Sequence, residues 1–317
     1  MRFLVTGGAG FLGSALANQL QLDGHEVRVL DDLSSGERDT LEQGVFFTRG
    51  TVNDIPLLWT MLQGVDCVYH LAARVSVAQS VLYPRDYNQV NVGGTVSLME
   101  AMRDAGVRRV VLASSGAIYG HQPRQPVQES DVPRPDSPYA VSKWAAEQYV
   151  HTIGALWGIE TVALRIFNAY GSGQPLPVSH APVVPAFMRA VLSGGSVVVY
   201  GDGSQSRDFV YVDDVVAALK SAATAERVDH AVLNIGSGQE VTVNGLVAAL
   251  ERLTGRKANR LINAEKSGGV PRLVADIERA RNLLDFEPRV DLTTGLRRML
   301  QEDPRFRSST VIPSAES

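Results

Sequence analysis

Short apolar runs alternate with longer amphipathic segments through the first half of the chain. The segments between the runs predict helices, notably at about Gly10–Leu22, Asp86–Ala105 and Ser137–Trp157. Strands rich in β-branched residues that alternate with helices are typical of an α/β fold with a doubly wound parallel sheet. The apolar runs predict its strands near Phe3–Thr6, Val27–Leu30, Val45–Thr48, Cys67–Leu71, Arg109–Ala113 and Thr161–Arg165.

The alternation loosens after Gly171, where glycine and proline interrupt several short elements. Two later pieces, Phe209–Ala222 and Ala231–Ile235, have strand and helix patterns that suit a return to the sheet. We therefore expect a smaller, interleaved C-terminal substrate domain that closes over the carboxyl ends of the strands. The predicted domains are 1–170 with 209–235 for the sheet, 171–208 and 236–303 for the substrate domain, and a mobile polar tail at 304–317.

Composition narrows the class of protein. The 317 residues are 44% hydrophobic and 20% charged, which suits an ordinary soluble protein with a large core. A net charge of −4 without a long basic run argues against nucleic acid or an anionic membrane as a partner. No apolar stretch reaches the roughly 20 residues of a membrane span, and the start is too short for a signal peptide. The single cysteine, Cys67, excludes an internal disulfide and suits a reducing cytoplasm. No metal site is expected.

Three glycines follow the first predicted strand at a spacing of three residues, Gly7, Gly10 and Gly13. Such glycines allow a tight turn from strand to helix, a close approach of backbone amides to a pyrophosphate, and close packing of the helix on the strand. The next helix would direct its amides and the positive end of its dipole at the phosphates. The position of the motif between a strand and a helix therefore predicts a dinucleotide site.

The second predicted strand ends at Asp31 and Asp32. A carboxylate at this place accepts hydrogen bonds from the adenine ribose hydroxyls and would repel a 2′-phosphate. The pair therefore favours NAD over NADP. The alternative is that the two aspartates only cap the turn that runs to Gly36.

Candidate catalytic residues come after the later predicted strands. Ser115 comes directly after an apolar strand, and Tyr139 and Lys143 are four residues apart on one face of a predicted helix. A tyrosine with a pKa of about 10 is a poor base, but a nearby lysine and an oxidised nicotinamide would favour its phenolate. Tyr139 would then take a proton from a substrate hydroxyl, with Ser115 bonded to the same oxygen. Taken singly, each feature also has an ordinary structural explanation, a helix cap or a chance spacing.

Together these motifs resemble the extended short-chain dehydrogenase/reductases of the NAD-dependent sugar-nucleotide epimerase/dehydratase family, over essentially the whole chain. The stretches that carry the resemblance are Thr6–Gly13, Asp31–Gly36, His70–Ala73, Asn91–Thr95, Ser114–Gly120, Tyr139–Lys143, Leu164–Gly171, Gly201–Gly203, Arg207–Asp214 and Ala275–Asp276.

The resemblance implies a Rossmann-type fold, NAD as cofactor and a role for each matching residue. Ser115, Tyr139 and Lys143 would be catalytic, and Arg207 would pair with the substrate diphosphate, since a guanidinium grips phosphate bidentately. The alternative for Arg207 is a surface cation beside Asp208. The implied cofactor residues are Gly7, Gly10, Phe11, Leu12, Gly13, Asp31, Asp32, Ser35, Gly36, Val52, Leu71, Ala72, Ala73, Asn91, Tyr139, Lys143 and Phe167, and the implied substrate residues are Ser115, Asn168, Arg207, Arg272 and Leu273.

The segment after Ser115 indicates which reaction of the family to expect. Dehydratases of the family have acidic residues there and decarboxylases commonly a glutamate, whereas this chain has Gly116, Ala117 and Ile118. An apolar Ala117 cannot carry the second proton that elimination needs. Oxidation followed by return of the hydride remains, which is epimerisation at C4 of a nucleotide-diphosphate sugar, by default of the UDP-glucose/UDP-galactose type. A ketoreductase or another sugar-nucleotide oxidoreductase is the nearest alternative, and a non-catalytic NAD-binding sensor a distant one.

Three departures from the family pattern concern the ligands. Gly50-Thr51-Val52 lacks the aspartate that commonly holds the adenine, and Lys266-Ser267-Gly268-Gly269 lacks an aspartate that commonly holds the nucleotide. Arg272 is a hypothetical substitute in the phosphate grip. Leu273 stands where a bulky tyrosine excludes N-acetyl groups in some relatives, so an N-acetylhexosamine is also a candidate substrate.

The family also implies an assembly. Members dimerise through two long helices as a four-helix bundle, and the segments 86–105 and 137–157 carry apolar residues on more than one face. We therefore expect a homodimer.

Overall fold

The computed structural model describes residues 1–177, 181–264 and 269–307. Seven parallel strands form the central sheet, in the spatial order Ala231–Ile235, Glu160–Ile166, Arg109–Ser115, Cys67–His70, Arg2–Thr6, Glu26–Asp31 and Phe46–Arg49. The α/β fold with a parallel sheet is therefore confirmed, and all six predicted strands are present with bounds that differ by one or two residues. The strands are β1 (Arg2–Thr6), β2 (Glu26–Asp31), β3 (Phe46–Arg49), β4 (Cys67–His70), β5 (Arg109–Ser115), β6 (Glu160–Ile166), β7 (Asn168–Tyr170), β8 (Ser196–Tyr200), β9 (Ser206–Arg207), β10 (Phe209–Tyr211), β11 (Ala231–Ile235), β12 (Val241–Thr242), β13 (Asn259–Asn263) and β14 (Arg272–Leu273).

Helices cover both faces of the central sheet. The evidence is that successive residues of its strands are buried in two different hydrophobic clusters. Leu4 of β1 lies in one cluster and Val5 in the other, and Val110 and Val111 of β5 divide in the same way. The helices are α1 (Phe11–Leu22), α2 (Ile55–Leu62), α3 (Val77–Leu82), α4 (Pro84–Tyr87), α5 (Gly94–Ala105), α6 (Pro138–Trp157), α7 (Val183–Ser193), α8 (Val212–Thr224), α9 (Val243–Thr254), α10 (Glu278–Leu284), α11 (Leu292–Glu302) and α12 (Pro304–Arg307).

The strand order reverses between β1 and β4. The chain proceeds from β1 to β2 and β3 on one side, and from β4 to β5 and β6 on the other. At such a switch point the connections leave in opposite directions, and a crevice opens at the carboxyl ends of the strands. This geometry places the candidate site at the ends of β1, β4 and β5.

The helix predicted over Asp86–Ala105 is interrupted, which corrects the prediction. A π-helical segment, Asn88–Gly93, separates α4 from α5. Within it the side chain of Asn91 is buried and binds the backbone of Arg74 and the hydroxyl of Ser142. Because a π turn inserts one residue into the helical repeat, it suits a place where a side chain must turn inward to such partners.

Of the region 209–235, which we expected to return to the sheet domain, β11 joins the central sheet and α8 packs against β5 and α1. The strand that begins at Phe209 pairs with β7 in a separate two-stranded sheet. One further expectation needs correction. The tail predicted at 304–317 begins with the helix α12, in which Phe306 is buried against the core. An aromatic side chain that is removed from water holds this segment on the protein. Residues 308–317 lie outside the described part of the chain.

The remaining strands form smaller sheets. One contains β12, β9 and β14, and another contains β13 and β8. Within the ranges that the structure describes, no helix is long and apolar enough to cross a bilayer.

Candidate active site

The loop after β1 lies directly on the loop after β4. Gly7 has a φ of +70°, and a Cβ there would come within 2.6 Å of the Ala72 nitrogen. The backbone nitrogen of Leu71 donates to Thr6, and that of Ala72 to the Thr6 hydroxyl. The predicted cofactor residues Gly7, Leu71 and Ala72 are therefore neighbours at the switch point.

The amino end of α1 is open to a ligand. Gly10 precedes α1 without a side-chain cap, whereas Asp54 and Ser137 cap α2 and α6 with their side chains. The first amides of an α-helix have no acceptor within it, so those of Phe11 and Leu12 are available to an anion. A Cβ on Gly10 would meet nothing within 4 Å except the Gly7 oxygen at 3.3 Å. The loop therefore fits a pyrophosphate.

Asp31 supports this loop with its own carboxylate. One oxygen accepts from the Ala9 nitrogen at 3.0 Å, and the other accepts from the Leu33 nitrogen at 2.8 Å. Asp32 accepts from Ser34, as the turn-capping alternative predicts. Gly36 touches the same loop, because a Cβ there would lie 2.5 Å from the Ala9 oxygen. The Asp31 carboxylate thus lies at the edge of the loop that would hold a pyrophosphate.

The remaining cofactor candidates differ in position. Ser35 is exposed near the Asp31 turn, and Ala73 is half-buried after β4. Val52 is buried in the core cluster beside Gly94. The Asn91 amide is bonded to Arg74 and Ser142, so it ties the loop after β4 to α6. Its effect on a cofactor would therefore act through the position of that loop.

Ser115 and Tyr139 come together although 24 positions separate them in the sequence. Ser137 caps α6 by accepting from the Ala140 nitrogen, which places Tyr139 in the first turn of the helix. The Ser115 side chain lies close enough to the Tyr139 phenol to lower the pKa of Tyr139. Burial has the larger, opposite effect, so the pKa of Tyr139 is raised overall. The residues of the protein do not lower this pKa in the way expected from Lys143.

Lys143 is 5% exposed, one turn after Tyr139. Burial lowers the pKa of Lys143 to about 8, and the nearby Glu147 carboxylate opposes that shift. His70, whose pKa is affected by the Lys143 charge, lies between the hydroxyls of Thr6 and Thr95. Burial and the Lys143 charge lower the pKa of His70 to about 3, so this imidazole is neutral and is no proton carrier at neutral pH.

The predicted substrate residues Asn168 and Arg207 lie beyond β6. The Phe167 ring packs against Gly116, the residue after Ser115, where a Cβ would lie 3.1 Å from the ring. Asn168 begins β7 and donates its backbone nitrogen to Asp208. The Arg207 guanidinium donates to the backbone oxygens of Ser206 and Val270.

The charge of Asp136, a residue that the sequence motifs do not single out, acts on Arg207. Burial lowers the pKa of Arg207, and the nearby carboxylate of Asp136 opposes the shift. Asp136 lies three residues before Tyr139 in the sequence, so its charge links Arg207 to the segment that leads into α6. No signal in the sequence pairs these two residues, which are far apart along the chain.

Arg272 and Leu273 occupy opposite faces of the short strand β14. The Arg272 guanidinium makes a bidentate ion pair with Glu240, with distances of 2.8 and 2.6 Å. The ion pair and a hydrogen bond from Ser206 lower the pKa of Glu240 to about 2. Arg272 would have to leave Glu240 to hold a phosphate, whereas Leu273 is buried beside Arg207. The departures from the family pattern at 266–268 lie outside the described residues.

No group of three or more histidine, cysteine, aspartate or glutamate residues is arranged to hold a metal ion in the described ranges. The buried thiol of Cys67 has its pKa raised to about 12, so it is not a reactive nucleophile.

Comparison with known proteins identifies relatives that align over nearly the whole chain. Residues 3–236 match the model of the NAD dependent epimerase/dehydratase family. The UDP-glucose 4-epimerase of Mycolicibacterium smegmatis is 37% identical, and the match covers 95% of this chain and 98% of that protein. The structure of UDP-glucose 4-epimerase with UDP-glucose from Thermotoga maritima has a TM-score of 0.92 at 36% identity, covering 98% and 99% of the two chains. A UDP-N-acetylglucosamine 4-epimerase from Methanobrevibacter ruminantium has a TM-score of 0.87 at 32% identity, covering 95% and 98%.

Proposed function

The chain belongs to the NAD-dependent epimerase/dehydratase family, and from this membership we propose that it epimerises a nucleotide-diphosphate sugar at C4. The observation that carries the proposal is the contact of Ser115 with Tyr139 on the helix of Lys143, beside a glycine loop that fits a pyrophosphate. The relatives named for C4 epimerisation of UDP sugars support the same reaction. We propose UDP as the nucleotide of the substrate and glucose or galactose as its sugar.

The chain supplies the acid-base chemistry of this reaction. Tyr139 takes the proton of the C4 hydroxyl and returns it, and Ser115 holds the same oxygen by a hydrogen bond. NAD, when bound, accepts the hydride from C4 and gives it back. In the protein alone the pKa of Tyr139 is raised, so the positive nicotinamide of bound NAD, together with Lys143, would have to favour the phenolate. Between the two transfers the 4-keto sugar must present its opposite face, and Ala117 offers no acid or base to divert it into elimination.

The proposed ligand contacts follow the layout of the site. The amides of Phe11 and Leu12 would hold the pyrophosphate of NAD, Asp31 would bind its adenine ribose, and Phe167 would pack by its nicotinamide. We propose that the substrate binds on the side of Arg207, whose guanidinium would hold the diphosphate of the sugar nucleotide.

The direct test uses purified protein and UDP-galactose with no added cofactor, followed through the anomeric proton signals by NMR. We expect conversion to UDP-glucose, because a cofactor that is regenerated in each turnover has no reason to leave. The test is repeated with added NAD and with the N-acetylated sugar. Absence of conversion under all three conditions would contradict the proposal and favour a net redox reaction or another nucleotide.

Leu273 gives a prediction about the sugar. A leucine is smaller than the tyrosine of the selective relatives, so we expect UDP-N-acetylgalactosamine to be used as well as UDP-galactose. The measurement is the ratio of the kcat/KM values for the two substrates. A preference for the plain sugar above about a thousandfold, which equals about 4 kcal/mol of discrimination, would contradict the prediction.

We also propose that the protein is a homodimer joined through α5 and α6. Val141 and Tyr149, both on α6, are 49% and 47% exposed although they are large and apolar. Burial of such side chains in an interface between equivalent helices would remove them from water. Light scattering should give twice the chain mass of 34.2 kDa, and a monomer at micromolar concentration would contradict the expectation.

A further inference from the structure

A carboxylate with no surface exposed lies on α6, one turn beyond Lys143. One oxygen of Glu147 accepts from the Ser114 hydroxyl at 2.8 Å. The other accepts from Nη2 of Arg165 at 2.7 Å, and Nε of the same guanidinium lies 3.2 Å from the first oxygen. Glu147, Ser114 and Arg165 are all buried, so this contact is shielded from bulk solvent.

The partners of Glu147 are placed beside the catalytic residues. Ser114 directly precedes Ser115 at the end of β5. Glu147 follows Lys143 by four positions and Tyr139 by eight, so the three side chains lie along one face of α6. The bond from Ser114 to Glu147 therefore joins the strand that carries Ser115 to the helix face that carries Tyr139 and Lys143.

Further hydrogen bonds anchor this junction. Nη1 of Arg165 donates to the Tyr119 phenol at 2.8 Å, and that phenol donates to Asn234 of β11 at 2.7 Å. Tyr119 ends the short turn that starts after Ser115. The side chain of Asn234 donates in turn to the backbone of Val127. The junction is thus part of one buried chain of bonds that spans β5, α6, β6 and β11.

Stability alone is a weak reason for this arrangement. Removing two opposite charges from water costs several kcal/mol per ion, and apolar side chains of similar volume often stabilise such a place as well. Ala146 and Val150 of the same helix make apolar contacts of that kind. A directional contact, by contrast, defines the register between a helix and a strand.

We propose that Glu147 is a positioning residue, which fixes α6 on the end of β5 through Ser114 and Arg165 so that Ser115 meets Tyr139 and Lys143. This inference rests on the proposed function, because it assigns the arrangement of the catalytic residues to a side chain that touches no substrate. The negative charge of Glu147 also acts on Lys143, since it raises the pKa of that ammonium against the effect of burial.

The first test is the variant Glu147→Gln, which keeps the shape of the side chain and an acceptor for Ser114 but loses the charge. We expect kcat to fall at least tenfold while KM changes less than about threefold, because the substrate contacts remain and the register of the acid-base pair is lost. The activities are compared well below the melting temperature of each variant.

A second readout needs no turnover. The chain has four lysines, Lys143, Lys220, Lys257 and Lys266, so ¹³C-labelled lysine gives few NMR signals. Lys143→Arg identifies the Lys143 signal by its disappearance. We expect the midpoint of Lys143, about 8 in the parent protein, to move to lower pH in Glu147→Gln while the Lys220 signal is unchanged. If the parent protein catalyses no epimerisation, the proposed function fails, and this titration still tests the effect of Glu147.

Two variants separate positioning from charge and from general stability. Ser114→Ala removes the link to β5 and keeps the carboxylate, so kcat should fall at least threefold with the Lys143 titration unchanged. It also decides the question if Glu147→Gln does not fold. Asp214→Asn is the control. Asp214 is a buried carboxylate on α8 that accepts hydrogen bonds from the backbone nitrogens of Arg289 and Val290. This variant should lower the melting temperature and keep kcat. The proposal is overturned if Glu147→Gln or Ser114→Ala loses only thermal stability, as Asp214→Asn does, with kcat unchanged.

Discussion

Replacing Tyr139 by phenylalanine should lower kcat by about 10³- to 10⁴-fold with little change in KM. Acid-base catalysis by a positioned side chain contributes about 10²- to 10⁴-fold, and Tyr139 is the group placed to hold the proton of the C4 hydroxyl. The phenyl ring keeps the packing against Tyr87, whose ring centroid lies 6.4 Å away. The measurement is kcat and KM by NMR on UDP-galactose, with the melting temperature as a check on folding.

Tyr87 offers a matched control for this variant. Its hydroxyl donates to the backbone oxygen of Ser76 at 2.6 Å, and its ring lies edge-on to Tyr139. Tyr87→Phe removes a phenol at almost the same place without touching the proposed proton path, so kcat should stay within a few-fold of the parent. A kcat for Tyr139→Phe within tenfold of the parent would show that another group moves the proton.

The central sheet could be predicted from the sequence because its strands are buried on both faces. Such strands appear as short runs rich in Val, Leu and Ile, as in Val110-Val111-Leu112, and the helices between them leave a parallel arrangement as the simple solution. The π-helical segment at Asn88–Gly93 could not be predicted in this way, since it depends on Asn91 reaching partners from other elements. Phe306 was missed because a single aromatic residue between two arginines gives no periodic pattern.

In the candidate site, too, local sequence patterns could be predicted and contacts between distant residues could not. The loop of Gly7, Gly10 and Gly13 and the spacing of Tyr139 and Lys143 are local patterns, so the sequence contains them directly. The pairing of Arg272 with Glu240 joins residues 32 positions apart, and no local pattern predicts it. The raised pKa of Tyr139 is likewise a result of burial in the folded protein. Local patterns therefore indicate which residues to propose for the site, whereas the pairing and charge of those residues follow from the fold.

The second large effect is expected from Gly13→Ala. Gly13 lies where α1 crosses the glycine loop, and a Cβ there would lie 2.1 Å from the Gly7 oxygen and 2.7 Å from Gly8 Cα. Both contacts are with backbone, which cannot rotate away as a side chain can, so the helix must move off the loop. Overpacking of this kind costs about 1–3 kcal/mol of the free energy of unfolding. The same movement takes the amides of Phe11 and Leu12 away from the pyrophosphate.

We therefore expect purified Gly13→Ala to contain little NAD, whereas the parent protein should contain close to one NAD per chain. The bound NAD is released by denaturation and measured enzymatically, and thermal unfolding is recorded on the same samples. Gly93→Ala is the matched control, because Gly93 has a helical φ of −58°. An added Cβ there would meet only Asn53 Oδ1 at 3.5 Å and Asn88 O at 3.9 Å, which are ordinary contact distances. That control should keep its NAD. A folded Gly13→Ala protein with a full complement of NAD would mean that α1 does not hold the pyrophosphate, and the cofactor site would have to be assigned elsewhere.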